Sequence, residues 1–340
     1  MWDHIFLGDI VQFKNGKKRP LAEGDIPVYG GNGILGYTNI GNHTACIIIG
    51  RVGAYCGNVF YEPQRCWISD NAIAALPKNN TDILFLYYLL KQLNLNKRHI
   101  GTSQPLLTQE ILNHIPCVLP DIRIQKQIAG ICRVLDEKIQ VNQKINETLQ
   151  QQAQAIYTSV FAANAGSDWQ QGHLSDLITV KYGKGHKKLA DGDYPVYGSG
   201  GIMRYAERPL YDKESVLIPR KGTLNNVMYV NEPFWAVDTM FYTEMKFPDL
   251  AKFVFHFVKS KDLASLNAGS AVPSMTTDIL NAMELSIPDM DTLRRFEDIV
   301  APMYKTMEHS RKESKKLAAL LDTLLPRLMS GELDVSGFDL

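Results

Sequence analysis

Two long stretches of the chain carry apolar residues at alternating steps of four and three. They cover residues 128–160 and 296–328, and each position of the second follows its partner by 168 residues. A 3.5-residue period sustained over several heptads is typical of a coiled coil. The seam positions predicted to face each other are Ile128, Cys132, Leu135, Ile139, Asn142, Asn146, Leu149, Ala153, Ile156 and Val160 in the first helix, and Phe296, Val300, Met303, Met307, Ser310, Ser314, Leu317, Leu321, Leu324 and Leu328 in the second.

The polar positions at the middle of each seam predict how the helices pair. Asn142 and Asn146 in the first helix correspond to Ser310 and Ser314 in the second. In an antiparallel pair these positions meet, and a buried amide–hydroxyl layer would fix the register at some cost in stability. A parallel pair would need the second helix to begin about 50 Å from its own domain, at 1.5 Å per residue. We therefore expect an antiparallel pair forming a rod with a domain at each end.

The whole chain is a tandem duplication. Gly24-Asp-Ile-Pro-Val-Tyr-Gly30 corresponds to Gly192-Asp-Tyr-Pro-Val-Tyr-Gly198, and Trp67-Ile-Ser-Asp70 to Trp235-Ala-Val-Asp238. The prediction is an α+β fold, with two mixed α/β domains of tandem-repeat origin joined by two long antiparallel coiled-coil helices. The predicted organisation is a first domain at residues 1–120, a spacer helix at 121–163, a second domain at 164–288, a spacer helix at 289–330 and a C-terminal tail at 331–340.

Within each repeat, short β-branched and aromatic runs predict strands, and one longer apolar pattern predicts an amphipathic helix. The predicted amphipathic helices cover residues 83–95 and 250–266. Shorter helices are expected to begin after Thr108 and Thr276, each with an acidic residue in its first turn. The predicted strands are residues 45–50, 59–62, 73–76 and 115–119 in the first repeat, and 215–219, 227–230, 240–244 and 283–287 in the second.

Composition excludes several classes of protein. The hydrophobic content of 45% and the charged content of 21% are those of a soluble globular protein, and the formal net charge is zero. A surface that binds a polyanion must therefore be local. Five cysteines without a C-x-x-C spacing predict buried thiols in a reducing cytosol. The N-terminal residues predict no secretion signal, and the longest apolar run, residues 83–90, is too short to span a membrane.

Two motifs resemble catalytic or cofactor signatures but lack their context. Gly31-Asn-Gly-Ile-Leu-Gly36 matches G-x-G-x-x-G, but a turn-like segment follows it instead of a helix, and the second copy has Met203 where a third glycine is needed. Asn231-Glu-Pro-Phe234 differs by one residue from the N-P-P-F/Y motif of amino-methyltransferases, and its partner Tyr61-Glu-Pro-Gln64 favours a strand-end turn. The sequence therefore predicts no catalytic site, bound cofactor or metal.

Basic residues gather in a glycine-bearing loop of each repeat. Glycine allows close approach of the backbone and lysine neutralises charge, so the loops suit phosphate contact, although a solvated turn explains them about equally well. The basic candidates for DNA contact in these loops are Lys14, Lys17, Lys18 and Arg19 in the first repeat, and Lys184, Lys187 and Lys188 in the second.

Arg51 and Arg220, followed by Lys221, occupy matching strand ends. Each guanidinium could bind a phosphate or a guanine edge, or form an ion pair with Asp70 or Asp238. Residues held in both copies suit backbone contact, because base recognition should differ between domains that recognise different sequences. The candidates in the divergent segments are Asn39, Asn42, Arg98, Gln104, Arg204, Tyr205, Asn225 and Asn267. The paired Tyr29 and Tyr197 are predicted as core aromatics in preference to stacking platforms.

The chain resembles the specificity subunits of type I restriction–modification systems over nearly its whole length, through the order of domain, long helix, domain, long helix. The phrases that carry the resemblance are Gly24-Asp-Ile-Pro-Val-Tyr-Gly30 with its twin, Pro120-Asp-Ile-Arg-Ile-Gln-Lys-Gln-Ile-Ala129, Leu135-Asp-Glu-Lys-Ile139, Asn146-Glu-Thr-Leu149 and Leu328-Met-Ser-Gly-Glu-Leu333.

That resemblance implies two target-recognition domains, each recognising half of a bipartite, asymmetric site on double-stranded DNA. It implies that the helix pair sets the spacer and docks two methyltransferase subunits, with restriction and translocase subunits joining the full complex. The chain would be non-catalytic by itself and cytoplasmic, with no membrane partner. S-adenosylmethionine, ATP and Mg are expected only on partner subunits.

Two other classes of function remain open at this point. The chain could be a self-contained two-domain DNA-modifying enzyme with a site between the repeats, which the missing N-P-P-F/Y motif argues against. It could also be a coiled-coil adaptor that does not bind DNA. Steep dependence of DNA affinity on salt would distinguish a DNA-binding subunit from such an adaptor.

Overall fold

The computed structural model describes residues 2–78, 80–101, 104–162, 169–266 and 274–337. The chain divides into two compact units, each with its own apolar cores. The first unit is formed by Met1–Gln143 together with Arg311–Leu340, and the second by Lys144–Ser310. Each unit thus combines one repeat with segments of both long helices.

The first repeat contains the short mixed elements that its sequence predicts, along with further strands near its N-terminus. Its strands are β1 (Asp3–Phe6), β2 (Val11–Asn15), β3 (Ile26–Gly30), β4 (Gly33–Thr38), β5 (His43–Gly50), β6 (Val59–Ile68), β7 (Ala72–Pro77) and β8 (Pro116–Leu119). Its helices are α1 (Leu7–Ile10), α2 (Ile83–Gln92), α3 (Gln109–Asn113) and the long α4 (Ile122–Tyr157), with 3-10 turns at Gly53–Tyr55 and Leu95–Lys97.

The main sheet of the first unit has the strand order β2-β7-β5-β6-β3-β4, so that β4 is an edge strand. Strands β3 and β6 pair in parallel, and the other neighbours pair antiparallel. Helix α2 is capped by Asp82, whose carboxylate accepts hydrogen bonds from the amides of Leu84 and Phe85. It ends before the predicted Leu95, because Asn94 adopts a left-handed conformation with φ of 49° and starts a 3-10 turn.

The second repeat has the same order of elements, except that two short strands, β14 and β15, stand where the first repeat has the single strand β6. Its strands are β9 (Gln170–His173), β10 (Ile178–Tyr182), β11 (Tyr194–Gly198), β12 (Gly201–Ala206), β13 (Ser215–Pro219), β14 (Met228–Val230), β15 (Trp235–Ala236), β16 (Met240–Met245) and β17 (Glu284–Ile287). Its helices are α5 (Leu174–Leu177), α6 (Ala251–Lys259), α7 (Thr277–Asn281) and the long α8 (Met290–Met329).

The sheets of the second unit have the orders β10-β16-β13-β14, β12-β11-β15 and β17-β9. The hairpin β11–β12 repeats the hairpin β3–β4, and β15 pairs with β11 in parallel as β6 pairs with β3. Helix α6 ends at Lys259, short of the predicted residue 266. The side chain of Asn225 bonds to the Asp262 carboxylate and to the amide of Ala264, which favours a turn there over helix.

Two sequence interpretations of local structure need correction. Asn231-Glu-Pro-Phe234 directly follows the end of β14, as predicted, but its partner Tyr61-Glu-Pro-Gln64 lies inside β6 and is not a strand-end turn. The register of β6 against β5 shifts between Thr44 and Cys46, and this bulge tolerates the missing amide proton of Pro63. Tyr37, predicted as part of a turn, belongs with its neighbour to β4. The prediction that no helix follows this glycine-rich segment is confirmed.

Both long helices form, and the predicted fold class is confirmed. Helix α4 continues into a π-helical turn at Thr158–Ala162. Every predicted seam position on α4 and α8 is buried or half-buried, including the polar ones. Some apolar residues of the same helices outside the seam, such as Val134 and Val141, are exposed, whereas others, such as Leu325 and Met329, are buried. The heptad pattern therefore identifies part of the buried surface of each helix.

The helices pack antiparallel within the first unit. Ile128 and Cys132 of α4 belong to one apolar cluster with Leu321 and Leu328 of α8. Further along α4, the Asn142 amide nitrogen donates to the Ser314 hydroxyl at 3.3 Å. Residue numbers therefore increase along α4 as the numbers of the contacting residues on α8 decrease, which is the antiparallel arrangement. The amide–hydroxyl contact expected at the middle of the seam is present.

In the second unit the helices pack against each other and against their own domain. Ala153, Tyr157, Phe296 and Val300 lie in one apolar cluster, and the Tyr157 and Phe296 rings meet edge to face at 6.2 Å between centroids. The burial of Tyr157 and Tyr304, which lie outside the seam, follows from a second buried face. Each helix end contacts the globular part of its unit as well as its partner helix.

All five cysteines are buried free thiols, as the spacing predicts. Burial raises the pKa of the Cys132 thiol to about 12 and that of the Cys117 thiol to about 11, so both remain protonated at neutral pH. Over the described residues, no helix combines the length and apolar character needed to cross a membrane.

Candidate nucleic-acid interface

The first basic loop, residues 14–19, is held at its backbone and exposed at its side chains. The amide of Gly16 donates to the Ala72 carbonyl and that of Lys17 to the Ile68 carbonyl. The Trp67 indole nitrogen donates to the Lys17 carbonyl at 3.2 Å. The side chains of Lys14, Lys17, Lys18 and Arg19 are exposed. A fixed backbone thus presents several cations to solvent.

The second basic loop, residues 181–188, repeats this construction. The amide of Gly183 donates to the Met240 carbonyl and that of Lys184 to the Ala236 carbonyl. The Trp235 indole nitrogen donates to the Lys184 carbonyl at 2.8 Å. The side chains of Lys184, Lys187 and Lys188 are exposed.

A positive field acts beside the first basic loop. The pKa of His43 is lowered, first by its burial and then by the nearby charges of Lys14 and Lys17. His43 lies at the start of β5, and its Nδ1 is 2.8 Å from the Asn42 side-chain oxygen. The imidazole is therefore biased towards its neutral form, and the cationic character of this region comes from the lysines.

In each unit an arginine guanidinium links the basic loop region to the neighbouring hairpin strand. The arginine belongs to the loop in the first unit and to the hairpin in the second. In the first unit Arg19 of the loop donates to the Leu35 carbonyl on β4 at 3.2 Å. In the second unit Arg204 on β12 donates to the Leu189 carbonyl at 3.0 Å, and to the Asp191 carboxylate at 2.7 Å. Loop and hairpin therefore lie within one hydrogen bond of each other in both units.

Arg51 and Arg220 make matching contacts with the main chain. Arg51 donates to the Asp70 carbonyl at 3.4 Å, and Arg220 donates to the Asp238 carbonyl at 3.3 Å. The Arg220 guanidinium also lies 5.3 Å from the centroid of the Tyr182 ring. The Asp70 and Asp238 groups contacted are thus carbonyls and not the carboxylates of the predicted alternative ion pair. Lys221, beside Arg220, is exposed.

Several candidates in the divergent segments are already used within their own unit. Asn42 bonds to both main-chain groups of Ile68, and Arg98 donates to the Leu93 carbonyl at the end of α2. Asn225 holds the turn after α6. Asn39 and Gln104 are exposed, Tyr205 is half-buried, and Asn267 lies outside the described residues.

The tyrosines repeated in the two Pro-Val-Tyr-Gly segments lie mainly inside their units. Tyr29 is buried and donates to Glu62 at 2.9 Å, while Tyr197 is half-buried and donates to Glu232 at 3.1 Å. Burial, followed by the bond to Glu62, raises the pKa of the Tyr29 hydroxyl. The Tyr29 phenol therefore acts as a neutral donor that anchors β3, and Tyr197 makes the corresponding bond from β11.

The hairpins also expose apolar residues, none of which is among the candidates predicted from the sequence. Ile34 and Leu35 on β4 are exposed, as are Ile202 and Met203 on β12. The signal in the sequence is a pair of adjacent apolar residues inside the glycine-rich segment of each repeat. A strand with one buried face would instead alternate apolar and polar residues.

In the part of the chain that the structure describes, no group of three or more His, Cys, Asp or Glu side chains could hold a metal ion. The buried ionisable cluster of the second unit is an internal one. It joins Lys252 to Glu214 at 3.0 Å and to Glu297 at 2.7 Å. These partners satisfy the buried ammonium, as a structural ion pair requires.

The chain matches the family model described as the type I restriction modification DNA specificity domain over residues 1–151 and 166–319. It is 32% identical to the EcoprrI specificity subunit of Escherichia coli, over 38% of this chain and 35% of that protein. It is 21% identical to the MjaVIII specificity subunit of Methanocaldococcus jannaschii, over 99% and 94% of the two chains. Its fold is similar to the crystal structure of a type I system S subunit from M. genitalium, with a TM-score of 0.66, 19% identity and 97% and 96% coverage.

Proposed function

The chain belongs to the type I restriction modification DNA specificity domain family, and on that basis we propose that it selects the DNA target of a type I complex. Each unit recognises one half of a bipartite, asymmetric site on double-stranded DNA. The observation that carries this proposal is the duplicated loop in which a tryptophan indole bonds to a lysine carbonyl, at Lys17 and at Lys184. A backbone fixed in this way limits the entropy lost when the lysines contact phosphates.

We further propose that the helix pair sets the spacer between half-sites and docks two methyltransferase subunits. Support for docking comes from the outer surface of α4, where Val134 and Val141 are 54% and 51% exposed and lie seven residues apart. Apolar residues at that spacing share one face of a helix and suit burial against another protein. Restriction and translocase subunits would join this assembly to complete the nuclease.

Catalysis belongs, in this proposal, to the partner subunits. The methyltransferase subunits bind S-adenosylmethionine, and the translocase subunits use ATP and Mg, while this chain supplies recognition and geometry in the cytoplasm. Two other functions predict different behaviour. A self-contained modifying enzyme would methylate DNA alone, and an adaptor without DNA contact would leave the affinity of the complex for DNA insensitive to changes in the basic loops.

The test is co-expression of the chain with the methyltransferase encoded beside it. We expect transfer of methyl groups from labelled S-adenosylmethionine to DNA only when both proteins are present. Methylation by the purified chain alone would favour the enzyme hypothesis. The double variant Val134→Glu/Val141→Glu should abolish co-purification of the methyltransferase, and unchanged co-purification would contradict the proposed docking face.

Salt dependence tests the DNA-contacting loops directly. The variant Lys17→Gln/Lys18→Gln should reduce the slope of log affinity against log salt by about two, since each phosphate contact contributes about 0.9. Lys305→Gln/Lys316→Gln, exposed on α8, removes the same charge outside the loops and serves as the control. Equal slopes for both variants and the unaltered complex would contradict contact between the first basic loop and DNA.

A further inference from the structure

The two hairpins expose adjacent apolar side chains at the edges of their sheets. Strand β4 ends one sheet and β12 ends another. Ile34 and Leu35 are 49% and 45% exposed, and Ile202 and Met203 are 49% and 60% exposed. An exposed apolar edge strand favours aggregation, so natural proteins usually protect such edges. Its presence at the same place in both repeats indicates a binding surface.

One member of each pair is seated against a glycine on the neighbouring strand. A Cβ atom on Gly30 would lie 2.6 Å from the Leu35 Cδ1 atom, and one on Gly198 would lie 2.5 Å from the Met203 Sδ atom. Both distances are too short for a real Cβ contact, so a larger residue at either glycine would displace the end of the side chain packed on it. Leu35 and Met203 are therefore supported on one side and exposed on the other.

Positive charge lies beside each pair. Arg19 of the first basic loop donates to the main chain of Leu35 itself, and Arg204, next to Met203, donates to the Leu189 carbonyl after the second basic loop. An exposed apolar pair beside basic side chains is complementary to a DNA groove, because the groove presents base edges flanked by phosphates. It is less suited to a protein or membrane partner that offers only apolar surface.

The neighbouring polar candidates are less available for recognising bases. Arg204 already bonds to Asp191, Asn42 to Ile68, and Asn225 to Asp262. Phosphate contacts by the lysines fix position but carry no sequence information. Asn39 and Gln104 remain exposed in the first unit. The pairs Ile34–Leu35 and Ile202–Met203 are exposed, packed against a glycine on one side, and different between the repeats.

We propose that these apolar pairs are specificity-determining residues that contact the C5-methyl groups of thymines, each pair in the half-site of its own unit. A two-stranded ribbon fits the major groove, where apolar side chains distinguish thymine by its methyl group. This inference rests on the proposed function and identifies the residues through which the recognition occurs. The basic loops beside the hairpins supply the phosphate contacts.

The test uses the complex of the full chain with its methyltransferase. The variants Ile34→Ser/Leu35→Ser and Ile202→Ser/Met203→Ser are compared by sequencing the methylated sites. We expect each variant to lose discrimination at one or more positions of one half-site and to leave the other half-site unchanged. Phe6→Ser is the control, because Phe6 is 51% exposed on β1, in a different sheet, and should not alter the site.

A second measurement replaces thymine by uracil, which lacks the methyl group, at each position where discrimination is lost. The unaltered complex should methylate the uracil site about four-fold less efficiently, as loss of one buried methyl-sized contact implies. The matching serine variant should treat the two sites alike. If a serine pair lowers the unfolding temperature of the complex, Leu35→Ala and Met203→Ala replace it in both measurements.

Unchanged half-sites in both variants, or equal methylation of thymine and uracil sites by the unaltered complex, would overturn the inference. Those results would leave the proposed function intact if the unaltered complex still methylates a split site. A continuous site in the unaltered complex would instead contradict the proposed function itself. The two failures are therefore distinguishable.

Discussion

The side-chain amide of Asn142 donates to the hydroxyl oxygen of Ser314 at 3.3 Å, joining α4 to α8 within the first unit. The same nitrogen lies 2.7 Å from the Glu313 carboxylate, and the Asn142 residue is only 1% exposed. A buried polar residue in a helix seam favours one register, because any shift would leave its amide unsatisfied. Asn142 is thus the residue that most strongly specifies how these helices align.

We expect Asn142→Ala to lower the free energy of unfolding of the first unit by about 1–2 kcal/mol, the loss of a buried hydrogen bond to a charged partner. Asn146→Ala is the matched control, because Asn146 is half-buried and its side-chain oxygen has no hydrogen-bond partner. Its effect should stay below about 0.5 kcal/mol. Urea unfolding measures both, and equal losses would contradict a special role for Asn142.

The buried ion pairs of Lys252 predict a large effect in the second unit. Its side chain is 6% exposed and contacts two carboxylates, of which Glu297 is 15% exposed. Lys252→Met should destabilise this unit by about 3–5 kcal/mol, because both carboxylates lose their counterion. The control is Lys91→Met, whose partner Asp136 lies 3.8 Å away at a more exposed site. Lys91→Met should lower the free energy of unfolding by less than about 1 kcal/mol. Calorimetry should distinguish this small loss from the larger loss expected for Lys252→Met.

The buried imidazole of His256 predicts a pH dependence of stability. Its Nδ1 is 2.8 Å from the Gln154 side-chain oxygen and its Nε2 is 2.9 Å from the Tyr304 hydroxyl. Burial, and secondly the charge of Lys259, lowers the pKa of His256 from 6.5 to about 4. The unfolded chain therefore binds a proton first on acidification. The resulting stabilisation is present above pH 6.5 and is lost as pH falls to about 4.

Urea unfolding at several pH values checks this sign. Between pH 6.5 and pH 4 the unaltered chain should lose roughly 2–4 kcal/mol more stability than His256→Gln, which has no group titrating there. Taking the difference removes the contributions of other groups, including Glu297, whose pKa is raised by burial and which acts in the opposite direction. Parallel curves would show that folding does not lower the pKa of His256.

The long helices and the duplication are predictable from the sequence because both arise from strict periodicities. The seam positions in residues 128–160 and 296–328 follow from the heptad pattern without knowledge of tertiary contacts. Thr108 and Thr276 cap their helices through local hydrogen bonds, which the sequence also predicts. The end of α6 depends instead on Asn225, which lies 26 residues before Ala251, and no local pattern contains that contact. Tertiary contacts of this kind override propensity at helix ends.

The candidate interface was predictable only in part, for the same reason. The basic loops can be recognised in the sequence by their lysine and arginine residues. The hydrogen bonds from Trp67 and Trp235 that hold their backbones form only when distant strands pack together, so the sequence does not predict them. Whether Arg204 is free or paired depends on Asp191, thirteen residues away in sequence. The exposed state of Leu35 and Met203 depends on which strand lies at the sheet edge, and edge position is a property of topology.

Insertion of one heptad into the middle of both long helices tests the proposed spacer. Seven residues extend a helix by about 10.5 Å, which corresponds to about three base pairs of B-DNA. We expect the non-specific gap of the methylated site to lengthen by about that amount, with both half-sites unchanged. Insertion into α4 alone is the control and should destroy the register at Asn142. Altered half-sites with an unchanged gap would contradict the spacer role.

Sequencing of methylated positions in DNA from cells that express the chain with its methyltransferase tests the central claim most directly. The claim is that two domains of one polypeptide, each with its own sequence specificity, select the target together. It predicts a split, asymmetric site of two unlike half-sites separated by a gap of fixed length. A single continuous site, or the same site in cells that lack this chain, would contradict it.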